Sequence, residues 1–268
     1  MSAKYPLAGN SLLVEVEGGV ATVTLNRPKQ HNALTRELRT NLGIALESLQ
    51  ADDDVDVIIL TGAGDKSFCV GLDLKEFESS PMTPDEVGTD TRVARGFAAL
   101  TKPVIAAING YVVTGGFELV LNCDIRVCTP NTTFADTHVR VGVLPGWGGS
   151  QLLVQAVGPA RAAYIGLTGN YVDAATAKAW GLVLDVLPRE ELMPYCREIA
   201  QDIVSADQGT VREYRALMRE GVRTTVQDGL ALETKLGKAR LARFDIADFR
   251  RTREAVMNRG KTQNQSGE

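Results

Sequence analysis

Ala107-Ile108-Asn109-Gly110-Tyr111-Val112-Val113-Thr114-Gly115-Gly116-Phe117-Glu118-Leu119 decides the reading of this chain. Lys102 to Ile108 is a short apolar run of strand type, Asn109-Gly110 is a turn, and the pair Gly115-Gly116 opens a helical stretch reaching Leu121. Ile125 to Cys128 reads as the next strand and Val183 to Val186 as a later one. Upstream, Leu12 to Val16 and Val20 to Leu25 alternate around Gly18-Gly19, a hairpin pattern with glycines where positive φ is needed. Thr35 is placed to cap a helix from Arg36 to about Leu49, with Leu38, Leu42, Ala45, Leu46 and Leu49 on one face. Asp52-Asp53-Asp54 closes that helix as a solvated turn, and Val55 to Leu60 is a buried strand ending at Thr61-Gly62. Strands alternating with helices predict an α/β architecture. Glycine, 26 of 268 residues, is concentrated in the loops after strands, where backbone turns sharply or approaches a ligand.

Further along, Ser79 to Gly88 reads as a mobile loop before a helix over Thr89 to Leu100. From Glu190 the character changes: Glu190 to Ser205, Gly209 to Glu220 and Val226 to Phe244 are helical with few strand signals. The expected division is a catalytic α/β core over 1–204 and a helical subdomain over 205–268, with a polar, disordered tail from Lys261 to Glu268. Leu230, Leu232, Leu236 and Leu241 recur on helices beyond the core and call for a partner surface.

Composition narrows the function classes. The 29 Lys and Arg against 33 Asp and Glu give a formal charge of −4, which argues against a nucleic-acid surface. The four cysteines form no CxxC pair, and only His31 and His138 offer imidazole nitrogen, so no metal site is expected. No secretory signal and no apolar run of membrane-spanning length is evident, so a reducing, cytoplasmic-type compartment is expected.

Three segments need a chemical reason: the opening one, Ser67-Phe68-Cys69-Val70-Gly71-Leu72-Asp73-Leu74-Lys75-Glu76-Phe77, and Phe134-Ala135-Asp136-Thr137-His138-Val139-Arg140-Val141-Gly142-Val143-Leu144-Pro145-Gly146-Trp147-Gly148-Gly149. A helix N-terminus leaves its first amides unpaired, so the Gly115 N–H is a ready donor to a developing oxyanion. Glu118 stands one turn on, among Phe117, Leu119, Val120 and Leu121, where a carboxylate is costly unless paired or functional. Burial would raise its pKa toward an acid–base range. His138 has the one side chain that exchanges protons near neutral pH unaided, with Asp136 the nearest carboxylate to orient it. A histidine satisfied in a loop is the competing reading.

These segments resemble the crotonase (enoyl-CoA hydratase/isomerase) superfamily. So do Asn26-Arg27-Pro28 with Asn32-Ala33-Leu34, Cys123-Asp124-Ile125, and Leu167-Thr168-Gly169 leading to Ala179-Trp180-Gly181-Leu182-Val183. The resemblance runs from about Leu12 to Lys261 and implies a spiral of repeated ββα units with a helical oligomerisation subdomain, assembled as a homotrimer or dimer of trimers. It implies an acyl-CoA thioester as substrate, with no cofactor beyond the coenzyme A that the substrate carries. The oxyanion hole would be the amides of Leu72 and Gly115, and Glu118 matches one of the family's two catalytic glutamates. His138 departs from the pattern by standing where hydratases carry the second. Thr114 departs too, replacing the first of three glycines. The resemblance further implies substrate and coenzyme A contacts from Arg27, Ala33, Val70, Gly71, Asp73, Leu74, Lys75, Gly116 and Trp147, with Lys261 of a neighbouring subunit near phosphate. Hydration of a 2-enoyl-CoA is the leading expectation. Isomerisation or C–C cleavage on the same oxyanion hole, and silent acyl-CoA binding, are the alternatives left by His138.

Overall fold

A computed structural model describes residues 4–246 together with 249, 253, 256, 257 and 259. Lys261 and the polar tail after it lie outside the described residues. Two compact units divide after Arg215, so the boundary expected at Ser205 falls within the first unit. The tie responsible is Arg215 itself, whose Nε donates to Asp124 Oδ2 at 2.8 Å and which also bonds the Leu100 carbonyl.

In the first unit, β1 (Leu12–Glu17) and β2 (Val20–Leu25) pair antiparallel, with Gly18 and Gly19 at φ +55° and +80° between them. Thr35 caps α1 (Arg36–Ala51) by accepting from Leu38 N at 3.2 Å. Three turns of ββα follow. The first is β3 (Val57–Gly62), β4 (Ser67–Cys69) and α2 (Leu74–Ser79), with α3 (Arg92–Ala99) behind it. The second is β5 (Val104–Ile108), β6 (Tyr111–Val113) and α4 (Gly115–Leu121). The third is β7 (Ile125–Cys128), β8 (Thr133–Ala135) and the one-turn α5 (His138–Val141). Beyond them run α6 (Gly149–Val157), α7 (Pro159–Thr168), β9 (Val172–Asp173), α8 (Ala174–Ala179), β10 (Asp185–Val186), α9 (Arg189–Val204) and α10 (Gln208–Gly221), the last crossing the division between units.

The first strand of each turn joins one sheet, ordered β1-β2-β3-β5-β7-β10, and the second joins another, ordered β4-β6-β8-β9. That alternation is the expected crotonase-type spiral. Period-two burial explains why the larger sheet is covered on both faces. Ile58, Leu60, Val104 and Ala106 face a core shared with Leu38, Leu42 and Leu46 of α1 and Phe97 of α3. Val57, Ile59, Ile105 and Val127 face Leu192, Cys196 and Ala200 of α9.

In the second unit, α11 (Val226–Leu241) starts at Thr225, whose hydroxyl accepts from Asp228 N at 3.1 Å. None of its residues is buried, and Leu230 and Leu241 are well exposed.

The acidic turn after α1 differs from expectation. Asp53 and Asp54 are solvated, but Asp52 is buried, accepting from the Tyr5 hydroxyl at 2.5 Å and pairing with Lys4 at 2.8 Å. Beside it the buried Lys102 donates to the carbonyls of Leu49 and Asp52, adding a cation at the C-terminal end of α1. The segment expected as a mobile loop contains a 3-10 turn over Pro84–Glu86, where Glu86 accepts from Thr83 N and pairs with Arg36 at 2.6 Å. Among the described residues, no helix is long and apolar enough to cross a membrane, and no cluster of three metal-ligating side chains occurs.

Candidate active site

The site forms where the loop after β4 meets the start of α4. Leu34 forms a one-residue parallel bridge with Leu72: its N–H donates to Gly71 O at 2.8 Å and its carbonyl accepts from Asp73 N at 3.2 Å. In a parallel bridge the residue between the two bonded neighbours turns its own N–H the other way. Among the described residues, neither the Leu72 nor the Gly115 amide meets a protein acceptor. Gly71, the residue before Leu72, packs against the start of α4, because a Cβ built on it would sit 3.1 Å from Gly115 N and 3.1 Å from Val113 O. Gly71 also has φ +85°, so glycine is required there twice over, by conformation and by space. Gly116 is required by space alone, since a Cβ would fall 2.1 Å from Cys69 O.

A polar clamp holds the Leu72 loop. Arg27 pairs with Asp73 at 2.9 Å and donates to Ala33 O, while its own N–H donates to Asn32 Oδ1 at 2.9 Å. Arg27, Ala33 and Asp73 are therefore brought together, with their polar atoms turned largely on one another. Asp73 in addition caps α2 by accepting from Glu76 N. Leu74 and Lys75, at the start of α2, are exposed, and Val70 is half-buried.

Glu118, 4% exposed, projects from α4 toward the segment that begins α6. Its Oε1 accepts from Trp147 N at 2.7 Å and Gly149 N at 3.0 Å. Burial lifts its carboxyl above the ordinary range, and the two amides and the neighbouring imidazole draw it back only in part. With Oε1 committed to two donors, the proton the group gains or loses belongs on Oε2. That oxygen faces His138 Nε2 at 3.7 Å. On the far side of the buried ring, Nδ1 lies 2.6 Å from Asp136 Oδ1, which also accepts the His138 amide at 3.2 Å. An acceptor-only carboxylate at Nδ1 places the neutral ring's proton there, leaving Nε2 with a lone pair that can take one.

The site residues expected from sequence thus fall into one place in the first unit, apart from Lys261. Missed in the sequence were the Trp147 and Gly149 amides, the Leu34 bridge and a hydroxyl pair between Thr114 and Thr137. The resemblance implied a substrate contact for Trp147. Its backbone N–H holds Glu118, and its carbonyl accepts from Asn122 at 3.1 Å. Gly148, at φ +91°, permits the turn that aims both amides at one oxygen.

The two-sheet ββα spiral is the crotonase architecture, and within it a buried carboxylate faces an imidazole, with two amides nearby that meet no protein acceptor among the described residues. A sequence model of the enoyl-CoA hydratase/isomerase family matches residues 15–263, and the chain belongs to that family. It is 37% identical over 243 residues to a probable peroxisomal enoyl-CoA hydratase 1 of Arabidopsis thaliana, covering 91% of each chain. A crotonyl-CoA hydratase of Syntrophomonas wolfei is 36% identical over 229 residues, covering 85% of this chain and 88% of that one. Among solved structures, an enoyl-CoA hydratase from Mycobacterium tuberculosis H37Rv superposes with a TM-score of 0.72 at 43% identity, over 86% of this chain and 98% of that one.

Proposed function

We propose that this enzyme adds water across the double bond of a 2-enoyl-CoA, giving the 3-hydroxyacyl-CoA. The observation that carries the reading is the facing pair, Glu118 Oε2 and His138 Nε2 at 3.7 Å. The thioester oxygen accepts from the Leu72 and Gly115 amides, which stabilise the enolate that forms when water attacks C3. Glu118 takes the proton of that water on Oε2. His138 enters the step as the imidazolium, with both ring nitrogens protonated, and delivers the Nε2 proton to C2 while the Nδ1 proton stays against Asp136. The water's hydroxyl ends on C3 and a hydrogen on C2, and the proton held on Glu118 Oε2 passes to His138 Nε2 to restore the pair. Isomerisation and C–C cleavage use one proton carrier, and the presence of two favours hydration. The names of the relatives above support the same reading.

Trp147 and Gly116 wall the acyl and thioester end. Val70, Gly71, Leu74 and Lys75 line the coenzyme A arm, with Lys75 exposed to meet phosphate. Arg27 and Asp73 act there by shaping the loop. No cofactor is proposed beyond the coenzyme A of the substrate, and the four buried cysteines suit a reducing, cytoplasmic-type compartment.

Following loss of enoyl-thioester absorbance with crotonyl-CoA tests the reading. The wild-type chain is expected to turn over, and His138→Ala to lose more than about 10-fold in kcat, or about 1.4 kcal/mol. Inertness of the wild type toward every 2-enoyl chain length refutes hydration. The unburied α11 further supports assembly as a homotrimer or dimer of trimers. Light scattering is then expected to give three or six times 28.8 kDa, and a monomer at micromolar concentration contradicts it.

A further inference from the structure

Thr114 occupies a backbone conformation that glycine adopts freely and a β-branched residue does not, φ +52° with ψ −112°. The other non-glycine residues at positive φ among those described are His31 and Asn32, and His31, at ψ 31°, sits in the ordinary left-handed region, which Thr114 does not. Every backbone bond at this position is one a glycine would keep. Thr114 N donates to Ala135 O at 2.9 Å, and its carbonyl accepts from Phe117 N at 2.9 Å and Glu118 N at 3.0 Å. What threonine adds is its side chain, and the hydroxyl is spent entirely on Thr137. The two hydroxyls bond each other, and Thr137 N donates to Thr114 Oγ1 at 3.3 Å.

Those two threonines stand directly before the groups that matter. Thr114 precedes Gly115, whose amide meets no protein acceptor among the described residues, and Thr137 precedes His138. The helix that His138 begins is four residues long, a single turn closed by Gly142 in the left-handed region. One turn does not hold itself in place and takes its position from outside tethers. Asp136 tethers the ring, and Thr114 tethers the backbone.

We propose that Thr114 is a positioning residue, whose hydroxyl locks the start of α5 to the start of α4 and so sets the His138 imidazole at a fixed place relative to the Gly115 amide. The backbone strain persists because the hydroxyl link is worth keeping; otherwise glycine would serve. For its kinetic consequence the proposal rests on the hydration reading, but its geometric content does not.

The test uses the full-length protein, the single variants Thr114→Ser, Thr114→Gly, Thr114→Val and Thr137→Val, and the double variant that combines the last two. Thr114→Ser keeps the hydroxyl and is expected to hold kcat for crotonyl-CoA within about 3-fold of wild type. Thr114→Gly removes both strain and hydroxyl. It is expected to melt no lower than wild type yet lose about 10-fold or more in kcat, with KM within about 3-fold. Thr114→Val combined with Thr137→Val is expected to lose no more than the worse single variant, because both break one link. The independent readout is the ring resonance of His138, with His31 the only other histidine and separable by His31→Gln. That resonance is expected to move or broaden in Thr114→Gly and to stay in place in Thr114→Ser. A Thr114→Gly variant with wild-type kcat and an unmoved His138 resonance overturns the proposal, as do additive losses in the double variant. Should the wild type fail to hydrate 2-enoyl-CoAs of every chain length, that refutes the hydration reading alone, and the histidine spectrum decides this one.

Discussion

Glu118→Gln is expected to lower kcat for crotonyl-CoA hydration by about 10²- to 10⁴-fold, the range for loss of a positioned acid–base group, while the enoyl-CoA still binds. The substitution is nearly isosteric, and the glutamine carbonyl can accept from the Trp147 and Gly149 amides as Oε1 does now. What disappears is the proton capacity of Oε2, the atom facing His138. A loss under 10-fold would remove Glu118 from proton transfer. The same variant carries a stability signature of opposite sign. Burial raises the Glu118 carboxyl above its unfolded value, so its favourable share of stability is complete below about pH 4 and is lost as pH rises through the higher folded value. The glutamine variant has no such loss. Its Tm relative to wild type is therefore expected to climb between pH 4 and pH 8 in thermal melts, which separates lost chemistry from lost folding.

Gly71→Ala is expected to be as damaging by a different route. Its Cβ would press at 3.1 Å on both Gly115 N and Val113 O, backbone atoms that do not swing aside, at a φ of +85° that alanine resists. Relief comes only by moving the Leu72 loop away from α4, which separates the two amides. Each oxyanion donor is worth about 10²- to 10³-fold in kcat, so a loss of that order or more is expected in steady-state kinetics, with circular dichroism unchanged. Retention of more than a tenth of wild-type kcat would mean that the amides do not act as a pair.

Much of this site was legible in the sequence because it is marked by residues with special backbone needs. Gly115-Gly116 beside an apolar run foretold α4 over Gly115–Leu121, and the strand over Ile125–Cys128 matched as well. Glu118 stood out as a carboxylate among hydrophobes, and it is buried. The second sheet was implied by the family resemblance but not by the residue pattern. Its strands at Ser67–Cys69, Tyr111–Val113 and Thr133–Ala135 are three residues each, too short for alternation to show, and lay inside segments that read as ligand loops. The burial of Asp52 was hidden because its partners, Lys4 and Tyr5, lie nearly fifty positions away along the chain. The hold on Glu118 Oε1 was hidden for another reason: main-chain donors carry no signature in residue type, and only Gly148 hints at the turn that delivers them. Asp136 was singled out as the nearest carboxylate to His138, but two-residue spacing does not dictate a contact, and the 2.6 Å bond is a property of the fold.

The most direct measurement is a crystal structure of the Glu118→Gln protein with crotonyl-CoA bound. The thioester oxygen is predicted within about 3 Å of both Leu72 N and Gly115 N, with C2 and C3 between residue 118 and the His138 ring. A carbonyl oxygen bonded to neither amide, or an acyl chain running away from His138, contradicts the account.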